Sequence, residues 1–131
     1  MSQQFAVTRP TVIVVDDDAA VRGSLKFALE IEGFAVRAYS GGVELFNDSA
    51  LTECACFIID HKLPGMSGLE LIASLRRRDI AVPAILITSQ PTIIVQERAS
   101  KAGIPIVEKP LLGNALLEKI RDVITGRQIA H

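Results

Sequence analysis

Cysteine is scarce in this 131-residue chain: Cys54 and Cys56, in "ECACFIID", are the only two. On a strand, positions two apart point to one face, which places these thiols badly for bonding each other. Two thiols without a nearby histidine also make a poor zinc site. They are read as small buried residues, which argues against a disulfide scaffold or a structural zinc. An excess of charge of one sign is missing too. Fourteen Lys and Arg against fifteen Asp and Glu leave a net charge of −1, so bulk electrostatics points to neither nucleic acid nor an anionic membrane. No apolar run approaches a bilayer span, and "MSQQFAVTRP" lacks the charged start and apolar middle of a signal peptide. The expected location is cytoplasmic, with no membrane partner. Low-complexity segments and linkers are also lacking. The 49% apolar share fits one compact globular domain, expected over residues 10–126, with an N-terminal extension over 1–9 and a frayed C-terminal tail over 127–131.

What is present is alternation. "TVIVV" and "CFIID" are continuous apolar runs ending in aspartate, the pattern of strands buried on both faces of a parallel sheet. "FAVRAYS", "PAILITS" and the shorter "IPIVEKP" read the same way. Between the first two runs, Val21, Leu25, Ala28 and Leu29 recur at helical spacing before Gly33. "GGVELFNDS", "SGLELIASLRRRD" with Ser67 as N-cap, "PTIIVQERASKAG" and "LGNALLEKIRDVITG" supply four more helices. Strand and helix alternating five times predict a doubly wound α/β sheet with right-handed crossovers.

In such a sheet, sites form beyond the carboxyl ends of the strands. Asp16 and Asp17 follow the first strand, Asp60 the third, Thr88 and Ser89 the fourth, and Lys109 the fifth. Crowded carboxylates raise one another's pKa, and a hard cation relieves the repulsion. Magnesium suits such a set, because it takes a few carboxylates, a carbonyl and retained waters, and shares its site with phosphate. A lysine can steady a phosphoryl oxygen, a threonine hydroxyl can donate to another, and aspartate can itself accept a phosphoryl group. These parts describe an aspartyl-phosphate site.

The segments "VIVVDDD", "IIDHKLPGMSGLEL", "ILITS" and "VEKP", in this order and spacing, resemble the receiver domain of two-component response regulators over residues 10 to 126. The early segment is most similar to receivers of the nitrogen-fixation regulator type. The resemblance implies a flavodoxin-like (βα)5 fold with strand order 2-1-3-4-5. It implies Asp60 as phosphoacceptor, Asp17 as a direct magnesium ligand, Asp16 as a ligand mainly through water, and the Lys62 carbonyl as a further ligand. Thr88 and Lys109 would contact the phosphoryl group. The phosphoryl donor would be a sensor histidine kinase or a histidine phosphotransfer protein of a phosphorelay. The chain would catalyse only its own phosphorylation and dephosphorylation. It is expected to act as a stand-alone receiver without direct DNA binding, through a downstream protein partner or onward phosphotransfer.

Several residues have plainer readings. Asp18 is expected to cap the first helix. His61 reads as an exposed loop residue, His131 has no case for function, and Arg76, Arg77 and Arg78 read as the solvated end of a helix. The sequence also departs from the receiver pattern. Ile106 stands where an aromatic ring is usual, "AGIPIVEK" is one residue short, and Gln96 and Ser100 replace small residues. Ile106, with Ile93, Ile94 or Val95, is therefore expected on a contact face of helix four, strand five and helix five, for a partner or a homodimer. The alternative is a phosphorylation-independent adaptor. A phosphatase with an aspartyl nucleophile would need a carboxylate where Lys62 stands, and a flavodoxin's phosphate would be repelled by "DDDAA".

Overall fold

The computed structural model describes residues 9–111 and 113–129; residues 1–8 of the extension expected over 1–9, and Ala130 and His131 of the expected tail, lie outside the described residues. Five parallel strands, β1 (Thr11–Val15), β2 (Ala35–Tyr39), β3 (Cys56–Asp60), β4 (Ala84–Thr88) and β5 (Ile106–Glu108), form one sheet in the spatial order β2-β1-β3-β4-β5. The helices are α1 (Ala19–Ile31), α2 (Gly42–Phe46), α3 (Gly68–Arg77), α4 (Ile93–Lys101) and α5 (Ala115–Ile129). No helix among the described residues is long and apolar enough to cross a membrane.

The apolar runs are continuous because the central strands are covered on both sides. Val12 to Val15 and all residues of β3 and β4 are buried. Alternate residues feed two cores. Ile13, Val15, Phe57, Ile59 and Leu86 meet Leu45 of α2, Leu71, Ile72 and Leu75 of α3 and Ala99 of α4. Val12, Val14, Ile58, Ile85 and Ile87 meet Leu25 and Leu29 of α1 and Leu116 and Ile120 of α5. Each such side chain contributes about 1.5–3 kcal/mol of burial, so a one-residue slip of any central strand would exchange its two cores.

Local signals start and stop the helices. Asp18 caps α1, its Oδ1 accepting from the Ala20 and Val21 amides at 2.8 and 3.3 Å. Ser67 and Glu70 form a reciprocal capping box on α3. Gly33 and Gly103 take φ +99 and +70, the left-handed turn that ends α1 and α4.

Two expectations are corrected. The fifth helix does not end at Gly126; it runs on to Ile129, because glycine stops a helix only where it adopts the left-handed conformation, which Gly126 does not. Nor do the cysteines share a face. Cys54 precedes β3, closing the 3-10 turn Leu51–Glu53 with its thiol donating to the Leu51 carbonyl, and it packs on the α2 and α3 side. Cys56 starts β3 and packs on the α1 and α5 side. Strand alternation does not apply across the bend at Ala55. Burial first, and the neighbouring Cys54 second, push the Cys56 thiol up to about 12.

Candidate functional site

Among the described residues, only three polar side chains are buried, and all stand at the carboxyl ends of adjacent strands. Asp16, just past β1, is 0% exposed, Asp60 at the end of β3 is 5% and Thr88 at the end of β4 is 3%. The parallel register explains the convergence: Val15 pairs with Ile59 and Asp60 with Ile87, so three apolar strands change to polar at one level.

The loops fix these groups further. The Asp18 amide donates to Asp16 Oδ1 at 2.9 Å, and Arg22 Nη1 donates to the Asp16 carbonyl at 2.7 Å. Asp17, between them, is exposed. After Asp60 the chain turns back through a short antiparallel ladder, Lys62–Leu63 against Met66–Ser67. The Gly68 amide then donates to the His61 carbonyl at 2.7 Å. A Cβ on Gly68 would lie 2.5 Å from the Asp60 carbonyl oxygen and 2.7 Å from Leu86 Cδ1. The first turn of α3 therefore rests on the Asp60 peptide, at an approach only glycine permits.

One ligand oxygen each from Asp16, Asp17 and Asp60 lies within 4.8 Å of the others. Lys109 reaches into this cluster from the end of β5, its Nζ 3.1 Å from Asp16 Oδ2 and 3.2 Å from Asp60 Oδ1. Its backbone is held by an amide donating to the Thr88 carbonyl at 2.8 Å. Burial raises the Asp60 carboxyl above the ordinary range, and the charges of Asp16 and Asp17 add to this; Lys109 pulls it back down without cancelling the rise. Burial lowers the Lys109 ammonium, but its hydrogen bond to Asp16 and the charges of Asp60 and Asp16 outweigh that, and its pKa is raised. The acids thus hold Lys109 ionised, while burial and the neighbouring charges disfavour the ionised form of Asp60.

Asp16, Asp60 and Lys109 meet directly, with Asp17 beside them and Thr88 buried one strand away. Lys62 lies in the ladder after Asp60 and is exposed. His61 is half-buried rather than an exposed loop residue, because the ladder folds back over it; its Nδ1 is buried without a hydrogen-bond partner among the described residues. Ile106 pairs with Leu86 and is half-buried, packing against the core on the α2 and α3 side. Ile93 and Ile94 are exposed, at 73% and 67%, and Val95 turns inward. Two residues went unnoticed in the sequence. Gly68 carried a faint signal, a poor helix former directly after an N-cap; Arg22 carried none beyond its place in the first turn of α1.

A model of the response regulator receiver domain matches residues 12–121. The chain belongs to that family. This receiver is 33% identical over 121 residues to the C4-dicarboxylate transport transcriptional regulatory protein DctR of Rhodobacter capsulatus, covering 90% of the chain and 61% of the relative. It is also 33% identical over 115 residues to the transcriptional regulatory protein FixJ of Rhizobium meliloti, covering 87% of the chain and 56% of the relative. Among solved structures, a CheY-like receiver domain protein from Methanospirillum hungatei JF-1 superposes with a TM-score of 0.83 at 26% identity, over 92% of this chain and 98% of that one. The chain thus spans little more than half the length of these two regulators.

Proposed function

We propose that Asp60 is the phosphoacceptor of this receiver, fed by the phosphohistidine of a sensor histidine kinase or a histidine phosphotransfer protein. The observation that carries this reading is Lys109 Nζ held between Asp16 and Asp60, at 3.1 and 3.2 Å. A carboxylate oxygen of Asp60 attacks phosphorus, the P–N bond breaks with its electron pair moving to the imidazole, and an acyl phosphate forms on the side chain. Lys109 already touches Asp60, so it can follow the charge from the carboxylate to the phosphoryl oxygens without a large movement. Thr88, at the end of the next strand, would donate its hydroxyl to another of them.

The cluster fits a hard divalent cation: its donors are carboxylate oxygens, two buried and one open to water. Asp16, Asp17 and Asp60 would hold magnesium together with the Lys62 carbonyl. When bound, the ion neutralises the acids and the charge of the incoming phosphoryl group. The chain's own chemistry would be limited to forming and losing its acyl phosphate. Its output would be a protein contact or onward phosphotransfer, through the face of α4, β5 and α5 where Ile93 and Ile94 stand exposed.

Incubation with a small phosphodonor such as acetyl phosphate and magnesium, read by intact mass, tests the assignment. One added phosphoryl group, absent in Asp60→Asn and absent with chelator, is expected. Undiminished labelling of Asp60→Asn would refute it.

A further inference from the structure

A groove of about 590 Å³ runs between α3 and α4, apart from the acid cluster. Its wall is apolar where Met66, Leu69, Ile72 and Ile104 line it, and its rim carries Arg76, Arg77 and Arg98. These cations differ in what occupies them. Arg76 Nη1 donates to the Ile80 and Val82 carbonyls at 2.9 and 2.8 Å and braces the loop after α3. Arg77 and Arg98 form no ion pair among the described residues. The one acid of the rim, Glu70, is held mainly by the α3 cap, where its Oε1 accepts from the Ser67 amide at 2.8 Å, and it feels the charge of Arg98 without forming an ion pair with it. The lining is therefore locally basic, on a chain whose net charge is −1.

We propose that this groove docks an acidic amphipathic helix of a partner protein, its apolar side on the Leu69 and Ile72 wall and its carboxylates on Arg77 and Arg98. Three observations choose this occupant. An open trough between two helices fits the apolar stripe of a third helix. An apolar wall gives a bare anion nothing to bind. The rim cations without an ion pair among the described residues are arginines, whose planar forks pair with carboxylates through two parallel hydrogen bonds. The groove lies on the α3 side of α4, so it is distinct from the exposed Ile93 and Ile94 pair.

The probe is a fluorescently labelled synthetic helix with leucines at helical spacing flanked by glutamates. It is compared with the same peptide carrying lysines in place of the glutamates. Anisotropy titration should show saturable binding of the acidic peptide, which the lysine peptide does not match. Arg77→Glu with Arg98→Glu should weaken binding about tenfold or more, and Leu69→Ser alone should weaken it too. Both variants should still take a phosphoryl group on Asp60, since none of these residues touches the acid cluster; the milder Arg77→Gln replaces the double variant if its melting midpoint falls. Equal binding of the two peptides, or unchanged binding by the arginine variants, would overturn the proposal. So would full displacement by inorganic polyphosphate together with indifference to Leu69→Ser, which would assign the rim to a bare polyanion.

Discussion

Asp60→Asn should stabilise the magnesium-free receiver at neutral pH, although it removes one partner of an ion pair. At an effective dielectric of about 20, Lys109 at 3.2 Å attracts the Asp60 carboxylate by about 5 kcal/mol, and each acid, with an oxygen within 4.8 Å, repels it by at least about 3.5 kcal/mol. Asp17 is exposed, and solvent cuts its share by about half, so attraction and repulsion nearly cancel. The desolvation of a 5% exposed residue then decides the sign, against the charge. Asparagine keeps the shape and leaves Lys109 paired with Asp16 at 3.1 Å, so a gain of about 1–2 kcal/mol is expected. Its pH dependence follows from the raised Asp60 carboxyl. Between the ordinary carboxylate range and that raised value the folded state binds more protons than the unfolded one, so wild-type stability falls as pH rises through the window. The advantage of Asp60→Asn should thus be complete above the window and vanish below it. Urea melts in chelator across that pH range measure it. An Asp60→Asn protein less stable than wild type at neutral pH, or a gain unchanged by acid, would refute the reasoning.

Lys109→Met should do the opposite, costing about 1–3 kcal/mol by leaving Asp16 and Asp60 without their cation, less than a fully buried pair because the side chain is 21% exposed. Since the Lys109 pKa is raised, that loss should be full at neutral pH and shrink only in alkali, as pH climbs past the ordinary lysine value toward the raised one; a loss that persists unchanged in strong alkali would count against it. Gly68→Ala forces a Cβ to within 2.5 Å of the Asp60 carbonyl and should cost about 1–3 kcal/mol and slow labelling by acetyl phosphate, whereas Gly126→Ala, in open space within α5, should be neutral or stabilise by about 0.5–1 kcal/mol; equal melts for the two variants would contradict both placements. Ile106→Ala should lower stability by about 1–3 kcal/mol as a packing loss, and an unchanged melt would return Ile106 to the surface.

The sheet was legible because its central strands are buried on both faces, so each is a bare apolar run with a sharp polar end. Asp16, Asp60, Thr88 and Lys109 could be placed from those ends alone, because parallel register brings strand ends level. Three features were hidden for definable reasons. Cys54 and Cys56 looked like one face of a strand, but the strand starts at Cys56, and a bend at Ala55 reverses the thiol before it. The half-burial of Ile106 was not legible, because how far a β-branched side chain points into the core depends on what α4 leaves open, which sequence spacing does not report. Arg76, Arg77 and Arg78 looked like one solvated run. Arg76 instead braces the Ile80 and Val82 carbonyls, and Arg78 lies over the Phe46 ring at 3.8 Å, while Arg77 forms no ion pair among the described residues, so three identical neighbours have three different surroundings.

The acid cluster is held together by structure that does not depend on its own charge. Asp16 is fixed by the Asp18 amide and by Arg22 on its carbonyl, Asp60 by the sheet on one side and Gly68 on the other, and Lys109 by the Thr88 carbonyl. With those backbone anchors in place, three carboxylates face a single ammonium, and the site is short of positive charge. Any change that corrects the shortage should stabilise the fold, and any change that deepens it should destabilise, whatever its size. Magnesium and Asp60→Asn therefore belong on one side and Lys109→Met on the other. The two stabilising changes should also fail to add: once Asp60 is neutral, magnesium has lost both a ligand and part of the repulsion it relieves, so its effect on the melting midpoint should be smaller in Asp60→Asn than in wild type. Full additivity would mean that the ion binds elsewhere on the protein, and the pocket between β1, β3 and β5 would then need another occupant.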